Sequence, residues 1–331
     1  MELLKKSTPN VINNAAKALK DGHLVAFPTE TVYGLGADAT NEKAVSRIYS
    51  VKKRPTSHPL IVHISSVNQI NNWAKEIPNY AIKLATEFWP GPMTLILKKS
   101  TYSKYFITGA QDNVGLRVPS HPVALELLKR FEELGGHGIA APSANNFGAV
   151  SPTSAGAVID EIGSQLQNGD IVLDGGKSFI GIESTIIDCT RENPKVVRPG
   201  FITHEMIERL LEIEIDRDSA RTTLRASGLF ASHYAPKAKV ILKLVAEQGV
   251  GLIALAHHPT PHGVIRLASP PNLEEFARDL YQAFRLADSL KLIRISVILP
   301  EGEGVATAIR DRLFKAASNE LHENYGYNIH S

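Results

Sequence analysis

Between Phe27 and Ile64 the chain reads FPTETVYGLGADATNEKAVSRIYSVKKRPTSHPLIVHI, with hydroxyls, glycines, a basic cluster and a histidine held between two strand-like apolar runs. Such residues weaken a packed core, so a globular chain that gathers them between strands has a ligand to hold. The fold must therefore bring short strands together around one polar site. At 331 residues and 43% apolar content the chain is long enough for two domains, or one large one, with a soluble, globular composition. No apolar run is long enough to span a bilayer, and MELLKKSTPNVINN lacks the apolar region of a signal peptide. The single cysteine, Cys189, rules out an internal disulfide framework, fits a reducing cytoplasm and reads as a small buried residue in STIIDC. A net charge of +2 with interleaved signs is too weak for nucleic-acid binding by bulk electrostatics.

Helical spacing over Pro9–Lys20, with Gly22 as a stop, precedes the strand HLVAF and a loop PTETVYGLG. Asn41 is placed to cap a helix running through Lys53, and Pro55 and Pro59 bracket a turn before the strand LIVHI. Helices around 67–74 and 80–89 lead to the strand MTLILK, then VGLRV, then a helix opened by Ser120 and Pro122. GIAA, DIVLDGG, STIIDC and KVVRPG read as further short strands, with helices at about 154–162 and 203–211. Strands and helices mix without steady alternation, which predicts an α+β fold on a mixed, strongly twisted sheet. Positions 212–239 have no sustained period and read as a linker, although HYAP carries groups a plain spacer does not need. From Val240 apolar strands alternate with helices, predicting a small parallel α/β, Rossmann-like domain. Its long helix has Asn272 as cap and Glu275 three residues on, a capping-box pattern. The expected organisation is 1–211, linker 212–239, second domain 240–320 and tail 321–331.

Each polar cluster supports two readings. Lys52, Lys53 and Arg54 suit a helix C-terminus, or clamp phosphate oxygens ahead of a proline-stiffened turn. Thr29, Glu30, Thr31 and Tyr33 satisfy their own turn, or bind a small polar substrate. Ser143, Asn145, Ser151 and Thr153 surround Gly148, where they cap the next helix or form an anion site. Arg117 and Arg198 each end a short apolar strand just before a proline, either reaching to solvent or converging on an anion. GGKS at 175–178 is not a phosphate-binding P-loop, because Ile171 stands where the first glycine belongs. HHPTPH at 257–262 matches no standard zinc spacing, and there is neither a GxGxxG nor a GxSxG motif.

Taken in order, PTETVYGLG, KKRPTSHPL, APSAN, SPTSA, GIESTIID and VVRPG resemble the YrdC-like threonylcarbamoyl-AMP synthase family. HYAPKA and the stretch from Val240 to Ala317, ending RDRLFKAA, resemble the linker and C-terminal domain of its longer, two-domain form. The resemblance implies a twisted mixed sheet around a central cationic cavity. It also implies a nucleotidyltransferase reaction in which L-threonine, bicarbonate and ATP give threonylcarbamoyl-adenylate and pyrophosphate. A separate transferase would then carry the group to ANN-decoding tRNAs, so direct tRNA binding by this chain is expected to be weak or absent. Carried over residue by residue, Thr31, His63, Arg117 and Ser184 would hold L-threonine. Lys52, Arg54, His58, Ser143, Asn145, Ser151, Arg198 and Tyr234 would surround ATP, with Lys52 and Arg54 acting on the phosphates. Mg²⁺ would accompany ATP, and the resemblance picks out no protein ligand for it. This sequence departs from the family in having His58 where asparagine is common. It also has DNVGLR, with Asn113, before Arg117, and RASGLFAS ahead of HYAP. The alternative from another class is a non-catalytic RNA-binding or ribosome-maturation factor on the same fold, against which the charge balance counts. A carbamoyltransferase accessory domain would need a zinc finger that one cysteine cannot build.

Overall fold

A computed structural model describes residues 3–216, 234–245 and 247–317. Within the expected linker, 217–233 fall outside the described residues, as do RASGLFAS and the tail. The first part of the chain runs β1 (Leu4–Lys6), α1 (Pro9–Lys20), β2 (Val25–Phe27), β3 (Gly34–Asp38), α2 (Glu42–Lys52) and β4 (Ile61–His63). It continues α3 (Ile70–Trp73), α4 (Asn79–Phe88), β5 (Met93–Lys98), α5 (Tyr105–Thr108), β6 (Asn113–Arg117) and α6 (Pro122–Glu133). Then come β7 (Ile139–Ala140), α7 (Ala155–Ile162), β8 (Ile171–Asp174), β9 (Thr185–Asp188), β10 (Lys195–Arg198) and α8 (His204–Leu211). The remainder is β11 (Lys239–Ile241), β12 (Gly251–Ile253), β13 (Ile265–Ala268), α9 (Leu273–Ser289), β14 (Arg294–Val297) and α10 (Val305–Ala316).

Local chemistry sets most helix starts. Thr8 caps α1, with Pro9 at its first position and Ile12, Ala15, Ala16 and Leu19 turned inward. The Asn41 side chain accepts from the Ala44 N–H, and the left-handed Lys53 ends α2. Asn272 caps α9, whose buried stripe is Phe276, Leu280, Phe284 and Ala287. Helix α6 begins one residue later than expected: its cap is His121, whose Nδ1 accepts from Val123, while the Ser120 N–H is taken by Glu30. The sequence reading also missed β3, which was expected to belong to a loop. Here Gly36 lets strands approach so closely that a Cβ would lie 2.7 Å from Ile139 and 2.8 Å from Phe27.

The large sheet has ten strands in the order β1-β8-β2-β3-β7-β4-β6-β5-β9-β10 and mixes parallel with antiparallel pairs. In the second sheet, β11-β14-β12-β13, every pair is parallel, as the apolar runs from Val240 predicted. The two parts pack together: Val32, Val150, Ile180 and Ile182 of the first share a core with Phe276, Leu280 and Ile309 of the second. Among the described residues no helix is long and apolar enough to cross a membrane. Cys189 is buried beside Asp188, and burial pushes its thiol up, as an inert core position requires.

Candidate active site

The centre of the large sheet lays out one wall of a cavity by strand register. Ile61 and His63 are two residues apart on β4 and face the same side; β6 is parallel, with Arg117 directly across from His63. Thr31, Gly34, Ser143, Arg54, Glu183, Ser184, Arg198 and Tyr234 line the same cavity. The structure thus brings together most of the residues that the motifs separate by as much as three-fifths of the chain.

Around Thr31, hydrogen-bond donors can be counted. Thr29 Oγ1 donates to the Val32 carbonyl at 2.6 Å and lies 2.8 Å from Thr31 Oγ1. A hydroxyl has one proton, so Thr31 is the donor in that contact and its remaining lone pairs can accept from a ligand amine or hydroxyl. Arg117 is held by a 2.6 Å ion pair with buried Glu30, whose other oxygen accepts from the Ser120 N–H at 3.0 Å. His63 packs edge-on to Phe27, and burial, then the neighbouring Arg117, push its pKa down to about 3. It is therefore neutral at physiological pH, and its buried Nδ1 has no hydrogen-bond partner among the described residues. Ser184 shares a 2.8 Å hydrogen bond with Thr94 and accepts from Arg198 at 3.1 Å.

Two further arginines line the same cavity. Arg54 donates to the Pro59 carbonyl at 3.1 Å and lies over the Phe147 ring, 5.7 Å from its centroid. Burial lowers its pKa to about 10, and Arg198 pushes in the same direction, as two cations do when they face one low-dielectric space. Arg198 is anchored by two hydrogen bonds to the Ser184 carbonyl, at 3.0 and 2.9 Å. Convergent buried guanidinium groups of this kind suit an anion with several oxygens.

The other expected residues stand behind this wall. Lys52 does not line the cavity: its amine donates to the carbonyls of Ser143 and Asn145, holding the APSAN loop. Burial and then Arg54 lower its pKa, and its two carbonyl contacts make it a loop clamp. Asn145 uses its amide N–H groups on the Asn146 and Ala149 carbonyls, while its buried Oδ1 has no partner among the described residues. Ser151 is fully buried and donates to Glu183 at 2.6 Å. Half-buried His58 tilts against Phe147, with ring centroids 5.2 Å apart. Asn113 opens β6, four residues before Arg117, which puts it about 13 Å along the strand from that residue.

Tyr234, from the linker's far end, is buried on the cavity wall, stacked at 5.8 Å on Tyr281 of α9. Its backbone is left-handed at φ 63°, and the adjacent Ala235 N–H donates to the Gly148 carbonyl at 3.1 Å. Sequence reasoning missed Glu183, and with it Arg312 and Tyr281. One signal was available: Arg312 interrupts the apolar face of α10 between Ile309 and Leu313. A charge in such a stripe calls for a buried partner.

The Sua5/YciO/YrdC family model, described as "Telomere recombination", matches residues 17–200, and that described as "Threonylcarbamoyl-AMP synthase, C-terminal domain" matches 202–318. The chain is 42% identical to the threonylcarbamoyl-AMP synthase of Pyrococcus abyssi, over 94% of this chain and 95% of that protein. It is 37% identical to the Bacillus subtilis protein of the same name, over 94% of each. The crystal structure of P. abyssi Sua5 complexed with L-threonine superposes with a TM-score of 0.85 at 38% identity, covering 96% of this chain and 98% of that one. Agreement on both domains and on their arrangement, over nearly the full length, places this chain in the Sua5/YciO/YrdC family, in its two-domain threonylcarbamoyl-AMP synthase form.

Proposed function

We propose that the protein is a nucleotidyltransferase that makes L-threonylcarbamoyladenylate from L-threonine, bicarbonate and ATP, releasing pyrophosphate. The observation that carries this reading is the chemistry gathered in one cavity. An acceptor hydroxyl, Thr31, and a cation, Arg117, line it together with the convergent cations Arg54 and Arg198. The first pair suits the amine and carboxylate of an amino acid, the second the phosphates of a nucleotide. Relatives named threonylcarbamoyl-AMP synthase, and a structural neighbour complexed with L-threonine, support the same assignment.

In this reading the threonine nitrogen forms a carbamate by attacking the carbon of bicarbonate, with loss of water, or of CO2, with release of the amine's proton to solvent. A carbamate oxygen then attacks the α-phosphorus, and the bond to the β-phosphate oxygen breaks. Most of the work is alignment and charge neutralisation by groups already in place. Arg117 orients the carboxylate, and Thr31 accepts from the amine. Arg54 and Arg198 stabilise charge gathering on the phosphates. His63 serves as a hydrogen-bond acceptor; with a pKa near 3 it does not retain the amine's proton. The donor set does not fit a resident metal. Among the described residues no cluster of metal-ligating side chains occurs. Glu30 is engaged by Arg117 and Ser120, and Glu183 by Ser151, Tyr281 and Arg312. Mg²⁺ therefore enters as part of the substrate MgATP. The reactive product would pass to a tRNA threonylcarbamoyl transferase in the cytoplasm.

The test is pyrophosphate release from MgATP by the purified chain. Release is expected to require both L-threonine and bicarbonate; equal turnover without threonine would overturn the assignment.

A further inference from the structure

Glu183 is a carboxylate on the wall of a cavity built for anions. It sits one residue before Ser184, 6% exposed, with Arg198 within electrostatic reach. Unopposed, it would repel a polyphosphate and draw Arg198 away from it. It is opposed from the other domain. Arg312 of α10, completely buried, donates Nε to Glu183 Oε2 at 2.8 Å and a terminal nitrogen to the Pro199 carbonyl at 3.1 Å. Tyr281 of α9 donates to the same carboxylate oxygen at 2.9 Å. The Arg312 guanidinium also lies 5.2 Å from the Tyr234 ring centroid, and Tyr281 stacks on that ring.

We propose that Arg312 is a positioning residue of the nucleotide site, through which the second domain completes the first domain's cavity. Its charge, shared with Asp311, balances Glu183, which lies within electrostatic reach of Arg198. Its planar face, with Tyr281, supports the Tyr234 ring against the cavity. Glu183, kept anionic, also accepts the hydrogen bond of the Ser151 hydroxyl. The inference rests on the reading that this cavity binds ATP, and it gives the second domain a chemical reason to be attached.

The experiment compares equilibrium binding of ATP and of L-threonine, with thermal midpoints, in the full chain and its variants. Arg312→Met is expected to weaken ATP binding by about tenfold or more while threonine binding stays within about twofold. The double variant Arg312→Met with Glu183→Gln removes the uncompensated charge and keeps an acceptor for Ser151. It is expected to recover ATP binding to within about threefold of wild type. Arg312→Lys preserves the charge and guards against a folding failure; it is expected to lose about threefold in ATP affinity, with threonine unchanged. Wild-type ATP affinity in Arg312→Met or Arg312→Lys overturns the proposal. So does equal loss of both ligands, which marks a merely structural residue, and so does failure of the double variant to recover. If the wild-type chain binds ATP but shows no threonine-dependent turnover, the synthase reading fails. The binding comparison still decides the role of Arg312.

Discussion

His63 stays neutral in the folded site. Burial is the larger cause and Arg117 the second, and together they bring its pKa from 6.5 to about 3. Between those two values the unfolded chain takes up a proton that the folded site refuses, so acid favours unfolding. This one group is expected to cost stability by up to about 1.4 kcal/mol per pH unit as the pH falls from 6.5 towards 3. Denaturant midpoints measured from pH 7 to 5, above the carboxylate range, should therefore fall less steeply in His63→Asn than in the wild type. Identical slopes would mean that His63 is accessible to protons in the fold. Across the same range L-threonine affinity should carry no titration from this residue. Arg117 illustrates the companion principle. A guanidinium buried at the end of a strand persists because Glu30 pairs with it, and Glu30 in turn is held by the Ser120 N–H.

At the scale of elements, short strands and capped helices set where these groups point. Helix α2 delivers Lys52 to the APSAN loop and ends at left-handed Lys53, which turns the chain towards Arg54 and the following proline-bounded loop. The start of this helix, at Asn41, does not line the cavity. Asn41→Ala is expected to lower stability by about 1 kcal/mol through loss of the cap, with Michaelis constants for ATP and threonine unchanged. A chemical denaturation curve beside a kinetic assay checks both halves. The cap, the helix and the prolines were all legible in the sequence because they are local: each depends on neighbours three or four residues away. Strand β3 was not legible. Its glycines look like turn residues, and only the close passage of Phe27 and Ile139 shows that they serve strand packing instead.

At the scale of the molecule, helix α9 lies along the first domain. Arg278 reaches the Phe179 carbonyl, Arg285 pairs with Glu161, and Tyr281 reaches Glu183. The close approach depends on Gly181, left-handed at φ 83°, where a Cβ would stand 2.4 Å from the Arg278 Cα. Backbone cannot move aside as a side chain tip can, so Gly181→Ala is expected to displace α9. The result should be a stability loss exceeding about 1 kcal/mol together with weaker ATP binding, read by calorimetry and a nucleotide titration. An unchanged ATP affinity would show that the docked position of α9 does not matter to the nucleotide site.

The sequence by itself determined the chemistry available: hydroxyls at 29 and 31, a proline-flanked cationic turn at 52–59, arginines at the ends of two strands, and a parallel second domain. These are composition, local periodicity and ordered motifs, and they survive in one dimension. Only the tertiary structure decided which charges face a ligand and which face each other. Lys52 turns to two carbonyls, Ser151 to a carboxylate, and Glu183 to an arginine 129 residues away in another domain. A buried charge is stable only with its counter-charge and its hydrogen bonds in place, and those partners are chosen by packing across the fold.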